Sequence, residues 1–220
     1  MTIKERYKRV INYFNQVMPI ANTELIYTDP YELIVAVILS AQCTDKRVNS
    51  ITPNFFKSFP NAEVLANARV SDIFEVIKSC SYPNNKAKNL SKMAQMLVND
   101  FHSKMPSDVE LLLKLPGVGR KTANVLASVL FNKPVFPVDT HVFRVAARIG
   151  LTKNAKNPYE CEKQLTKNFP QELIPKAHHW LILHGRYVCI ARIPKCEECG
   201  LREICIYYKT QSLKKNKFSA

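Results

Sequence analysis

Lys121 stands directly after the segment Leu115-Pro116-Gly117-Val118-Gly119-Arg120, and Asp139 follows eighteen positions later. A primary amine beside a glycine turn, with a carboxylate further along, is equipment for Schiff-base chemistry at an electrophilic carbon. A second reactive set is Cys189, Cys196, Cys199 and Cys205, separated by six, two and five residues. Four thiols so close in sequence imply a bound metal, because an unpaired group of thiolates would be readily oxidised. Spacing alone admits zinc or an iron–sulfur cluster, and zinc is the commoner use of four such cysteines.

Each group needs a scaffold. Gly117 and Gly119 allow backbone conformations closed to other residues and let a ligand approach the main chain. The amides of Val118, Gly119 and Arg120 are expected to point outward at the start of a helix, which is a natural anion site. Lys121 then falls in the first helical turn, near the positive end of the dipole and beside Arg120. Both influences disfavour the ammonium and leave more of the free amine, the form that attacks. Asp139 precedes another helix, so it is expected to cap that helix, a role compatible with stabilising positive charge nearby. Arg192 and Lys195 make the stretch between the first two cysteines of the set basic and suited to a second run of phosphates.

The apolar spacing is helical throughout, and period-two alternation is nowhere sustained, so the fold class is all-α. Tyr7, Val10, Ile11, Phe14 and Val17 form one stripe of an N-terminal helix. Ser107 and Glu110 match a capping box, which predicts a helix running to about Lys114 before Pro116 ends it. The helix after the glycine turn should bury Val125, Leu126, Val129 and Leu130. Val142, Val145, Ala146 and Ile149 repeat the pattern, and Gly150 stands where a left-handed stop is wanted. Cys43, Cys80 and Cys161 read as buried small hydrophobes, and His178, His179 and Trp180 as interdomain packing.

The chain has 220 residues, enough for one large domain or two small ones, and a net charge of +14 from 32 Lys+Arg against 18 Asp+Glu. That excess predicts a polyanionic partner, of which nucleic acid is the commonest. A membrane role is disfavoured, because the longest apolar run, Leu33 to Leu39, is far short of the roughly 20 residues that span a bilayer. The first residues show no secretory signal, which places the protein in a reducing cytoplasm, on the nucleoid where the host is bacterial.

Taken together, Leu115 to Ala123, Val138-Asp139-Thr140-His141 and the run His184-Gly185-Arg186-Tyr187-Val188-Cys189 resemble the endonuclease III family of DNA glycosylases, within the helix-hairpin-helix superfamily. The resemblance extends over nearly the whole chain. It implies a helix-hairpin-helix glycosylase fold of two α-helical domains flanking a DNA groove. A six-helix barrel would occupy residues 22–133, a discontinuous cluster domain residues 1–21 and 134–212, and a basic, frayed tail residues 213–220.

In that family the hairpin lysine is the nucleophile and the aspartate assists it, roles that map onto Lys121 and Asp139. The cysteine pattern in this setting implies a 4Fe-4S cluster held by Cys189, Cys196, Cys199 and Cys205. Gln42, in Ser40-Ala41-Gln42-Cys43-Thr44-Asp45, matches the glutamine that enters the space left by an extruded base. Tyr82 takes the place of a wedge that is often leucine, as in related adenine glycosylases, which typically lack the hairpin lysine. The implied activity is excision of oxidised pyrimidines from damaged double-stranded DNA by a monomer, followed by strand cleavage through β-elimination. A monofunctional or adenine-type glycosylase and a non-catalytic DNA-binding module are the alternatives.

Overall fold

The structure, a computed structural model, describes residues 1–218, with side chains through Ser212. Twelve α-helices and no strands are present among the described residues. They are α1 (Ile3–Val17), α2 (Pro30–Ser40), α3 (Asp45–Ser58), α4 (Ala62–Asn67), α5 (Val70–Ile77) and α6 (Pro83–Phe101), followed by α7 (Val109–Leu112), α8 (Arg120–Phe131), α9 (Thr140–Ile149), α10 (Pro158–Asn168), α11 (Ile174–Tyr187) and α12 (Ile206–Phe218). Two compact units divide the chain, one of Thr23–Asn132 and one of Met1–Asn22 with Lys133–Ala220.

In the continuous unit, α2 is the central element. Asp29 caps it by accepting the Glu32 N–H at 2.8 Å, and Pro30 supplies a pre-set φ in the first turn. All seven residues from Leu33 to Leu39 are buried, none more than 3% exposed. A helix that is apolar on every side needs neighbours all round. Helices α3, α6 and α8 supply them, with Leu90, Met93 and Leu97 of α6 and Leu126 of α8 fully or nearly fully enclosed. Each such side chain stabilises the fold by about 1.5–3 kcal/mol relative to exposure. The buried face of α8 is rotated from the one expected. Val125 and Leu126 are buried, Val129 and Leu130 only half-buried, and Ala123, Asn124, Ala127 and Ser128 fill the interior instead. Small side chains let α8 approach its neighbours closely.

The discontinuous unit is tied to its N-terminal helix. Thr2 and Glu5 form a reciprocal capping box at the start of α1, a signal that the sequence reading passed over. Tyr7, Val10 and Phe14 are buried while Val17, in the last turn, is 55% exposed and leaves the expected stripe. Phe14 stacks on Trp180 of α11 at 5.5 Å, and the indole N–H donates to Met18 O at 2.8 Å. Trp180 therefore packs within this unit's core, where the His178 ring also lies edge-on to Phe136. Val142, Val145, Ala146 and Ile149 of α9 are all buried, and α10, α11 and α12 pack against that helix. Gly150 ends α9 at φ +90, as the pattern predicted, where a Cβ would collide with the Ile206 side chain. The side chains of 213–220, the expected basic tail, lie outside the described residues, although the backbone of α12 continues as helix through Phe218.

Candidate functional site

The glycine turn precedes α8 within the continuous unit. Val118 N–H donates to Leu115 O at 3.0 Å, closing a turn with Pro116 in its second position and Gly117 at φ +84 in its third. That is the arrangement of a type II turn, which demands glycine at its third residue. A Cβ on Gly117 would also press on Asn89 of α6 at 3.0 Å. The Val118 amide is thus spent inside the turn and its side chain is 7% exposed, so it does not point outward as expected.

Gly119 differs from Gly117. Its φ of −89 is open to any residue, and a Cβ there would meet nothing within 4 Å. It is the N-cap of α8 but offers no side-chain acceptor to the first-turn amides, which leaves the positive end of the helix to a ligand. Arg120 is exposed, and Lys121 is half-buried in that same first turn. The approach to the turn is shorter than predicted. Asp108, not Ser107, is the N-cap of α7, accepting from Glu110 N and Leu111 N at 2.8 and 3.2 Å, and the helix stops at Leu112. An ionised carboxylate is a stronger acceptor for amides than a hydroxyl, so it takes the cap.

Gln42 and Tyr82 lie in the same unit. Both are exposed and both hold left-handed backbone conformations, φ 53 and φ 55. Ser81 Oγ donates to Gln42 O at 2.7 Å, so the two loops are joined by a direct hydrogen bond. Cys80 is buried, whereas Cys43 is only half-buried, because it follows Gln42 out of the core.

Asp139 belongs to the discontinuous unit and is half-buried at the N-cap of α9. Its Oδ1 accepts the Val142 N–H at 2.8 Å. His141 is half-buried, and its Nδ1 lies 3.2 Å from Arg144 Nη2.

Cys189, Cys196, Cys199 and Cys205 line one pocket, together with His184, Val188, Lys195, Leu201 and Tyr207. Burial first, and the neighbouring thiols next, push up the Cys196 thiol and carry Cys199 to about 11; burial likewise raises Cys205. Burial drives His184 down to about 4, so a neutral imidazole faces Cys199 Sγ, with Nε2 at 3.6 Å. Among the described residues no three His, Cys, Asp or Glu groups are placed to hold a single ion. Burial thus disfavours a lone thiolate at Cys196, Cys199 and Cys205.

The sequence missed what holds this pocket's rim. Arg144 Nε donates to Cys189 O at 3.2 Å and its Nη2 to Gly185 O at 2.8 Å. Arg148 reaches Ile190 O at 2.8 Å and Ala191 O at 2.7 Å, and its guanidinium lies over Tyr207. The spacing of Arg144 and Arg148, four apart on α9 and so one turn apart on a single face, was the available signal. Arg192 and Lys195 are exposed on the loop so anchored, with Lys195 Nζ 3.8 Å from Glu198.

Residues 35–171 match the profile of the HhH-GPD superfamily base excision DNA repair proteins, and the chain belongs to that superfamily. Among its relatives, endonuclease III of Rickettsia felis is 43% identical over 207 residues, 94% of this chain and 97% of that protein. A trapped endonuclease III–DNA covalent intermediate has a TM-score of 0.91 at 38% identity, covering 96% of this chain and 100% of its own. A non-covalent endonuclease III–DNA complex has the same TM-score at 37% identity, over 96% and 99%. The all-α reading and the family resemblance stand on these matches.

Proposed function

We propose that this protein is a base excision DNA glycosylase with AP lyase activity, in which Lys121 is the nucleophile. The observation that carries the reading is the placement of an amine in the first turn of α8, behind the type II turn. A relative of the same fold, 38% identical, was caught covalently joined to DNA. The substrate is damaged double-stranded DNA, oxidised pyrimidines in particular.

Phosphates of the damaged strand seat on the first-turn amides of α8, with Gly119 leaving room for them and Arg120 adding charge. Gln42 enters the space of the extruded base, and Tyr82 wedges the opposite strand. Base extrusion costs a few kcal/mol, least for a weakly paired lesion. Lys121 Nζ, as the free amine, attacks C1′ while the bond from C1′ to the base breaks, and the base leaves with a proton. Asp139 stabilises the positive charge that develops on the sugar. Ring opening gives an iminium between Nζ and C1′. Loss of a C2′ proton then expels the 3′ phosphate, so the strand breaks without a hydrolytic water.

Cys189, Cys196, Cys199 and Cys205 would hold a 4Fe-4S cluster, to which the pocket and its donor set are suited. Bound there, the cluster would cross-link the four cysteines and leave no open coordination position for Lewis-acid chemistry. Arg192 and Lys195, on the loop tied down by Arg148, meet a further stretch of backbone. No helix among the described residues is long and apolar enough to cross a membrane. The protein acts on DNA as a monomer in the cytoplasm.

Borohydride reduction during reaction with a lesion-bearing duplex tests the nucleophile. A crosslinked species with its tether on Lys121, absent in Lys121→Gln although that variant still binds duplex, is expected. No crosslink, or a tether elsewhere, overturns the reading. A non-catalytic module would bind with salt sensitivity and no preference for damage, and a monofunctional enzyme would need alkali to cut.

A further inference from the structure

Lys86 is a lysine on an apolar stripe. It shares one face of α6 with Leu90, Met93 and Leu97 and is itself only 5% exposed. Its Nζ donates to Leu39 O at 2.8 Å and to Ala41 O at 2.7 Å, at the C-terminal end of α2. An ammonium is costly to bury, and those carbonyls, at the negative end of the α2 dipole, are suited to offset the cost. Burial pulls its pKa below the usual lysine value, while the neighbouring Cys80 and Cys43 act in the opposite direction.

Two further bonds complete the arrangement. Gln42 follows Ala41 directly, and the Lys86 N–H donates to Tyr82 O at 3.2 Å. Ser81 Oγ closes the link by donating to Gln42 O at 2.7 Å. One side chain therefore fixes the residue before Gln42, and its own backbone fixes Tyr82. Left-handed backbone at a non-glycine residue is unfavourable unless surroundings enforce it, and here two such residues belong to loops joined by one set of bonds. An apolar residue at position 86 would serve the core at less cost, so the buried charge is retained for geometry.

We propose that Lys86 is a positioning residue: with Ser81 as a second tie, it locks the Gln42 and Tyr82 loops into one preformed tool for opening the duplex. The inference rests on the reading above, in which Gln42 and Tyr82 enter DNA. Its substrate is the intact lesion duplex, where extrusion is required, and a rigid tool spares the ordering cost at the moment of binding.

Lys86→Met keeps the length of the side chain and removes the donors. Base extrusion is read from the fluorescence of 2-aminopurine placed opposite a thymine glycol, and base release from single-turnover kinetics on the same duplex. Lys86→Met should slow both by about tenfold or more, the worth of a charge-assisted hydrogen bond. In a Gln42→Ala/Tyr82→Ala background the same change should cost less than about twofold, because coupled residues are not additive. An equal loss in both backgrounds, or no loss in either, overturns the proposal.

Should Lys86→Met fail to fold, Ser81→Ala decides, since that hydroxyl is at the surface: about a threefold loss is expected, of the size of one neutral hydrogen bond, and it should vanish when Gln42 is alanine. A wild-type protein that releases no base refutes the glycosylase reading instead. Lys86 is then judged by hydrogen exchange, which should quicken at residues 41–43 and 80–82 in Ser81→Ala and Lys86→Met while 33–38 stay protected. Unchanged exchange at those loops refutes the lock.

Discussion

Asp139 Oδ1 accepts the Val142 N–H at 2.8 Å, so the carboxylate proposed to stabilise charge on the sugar is also the cap of α9. One oxygen is committed to the helix, which orients the other. Asparagine can cap as well as aspartate but carries no charge. Asp139→Asn should therefore slow base release while its melting temperature stays close to wild type. Asp139→Ala loses the cap too and should lower stability by about 1 kcal/mol. Thermal melts and single-turnover kinetics on both variants check this. An asparagine variant with normal base release would remove Asp139 from the chemistry and leave it a cap.

Gly117 and Gly119 should respond oppositely to alanine. Gly117→Ala forces a left-handed residue and presses a methyl on Asn89, so it should destabilise the protein by about 1–3 kcal/mol in denaturant unfolding. Gly119→Ala meets nothing within 4 Å at an ordinary φ, and its stability should be unchanged or slightly higher. Its duplex affinity should fall several-fold, because the methyl would intrude where a phosphate seats. Wild-type affinity in Gly119→Ala would place the phosphate elsewhere.

Much of this was legible in the residues themselves. The α9 stripe and its Gly150 stop follow from helical periodicity and from the need for positive φ, both local. What stayed hidden depended on competition or on distance. Ser107 lost the α7 cap to its neighbour Asp108, which no spacing rule ranks. Val118 spent its amide on Leu115 because a type II turn closes that way, a detail below the resolution of a glycine motif. Arg148 and Lys86 satisfy carbonyls 42 and 47 residues away, so their role exists only once the chain has folded. The sequence displayed their charge and left its use open.

Arg148 and Arg192 separate support from contact on the loop between the first two cysteines of the pocket. Arg148 is half-buried and donates to Ile190 O and Ala191 O. Arg148→Met leaves the part-buried Ile190 carbonyl without its charged donor, at about 1–3 kcal/mol, while the exposed Ala191 carbonyl can turn to water. The melting temperature should drop, and so should iron and visible absorbance per protein. Arg192→Ala removes an exposed side chain and should alter neither. It should weaken duplex binding across sequences and lower the salt slope by about one unit, as one lost phosphate contact does. Normal iron content in Arg148→Met would show that the loop holds its shape without the arginine.

Cys161 contributes to the protein's alkaline limit a share that one substitution isolates. Its thiol is fully enclosed on α10, and burial first, then the nearby Glu162 carboxylate, push it up to about 12 from an ordinary value near 9. Below pH 9 the thiol is protonated whether the chain is folded or not, so it makes no difference to stability there. Between pH 9 and 12 the unfolded chain ionises and the folded one does not. The folded state then binds more protons, and stability must fall as pH rises, by up to about 1.4 kcal/mol per pH unit from this residue. Cys161→Ala removes the group from both states. Urea unfolding from pH 8 to 10.5 should show a steeper loss for wild type than for the variant, with the curves converging toward high pH. Parallel curves would mean that the thiolate finds solvent or a partner without unfolding.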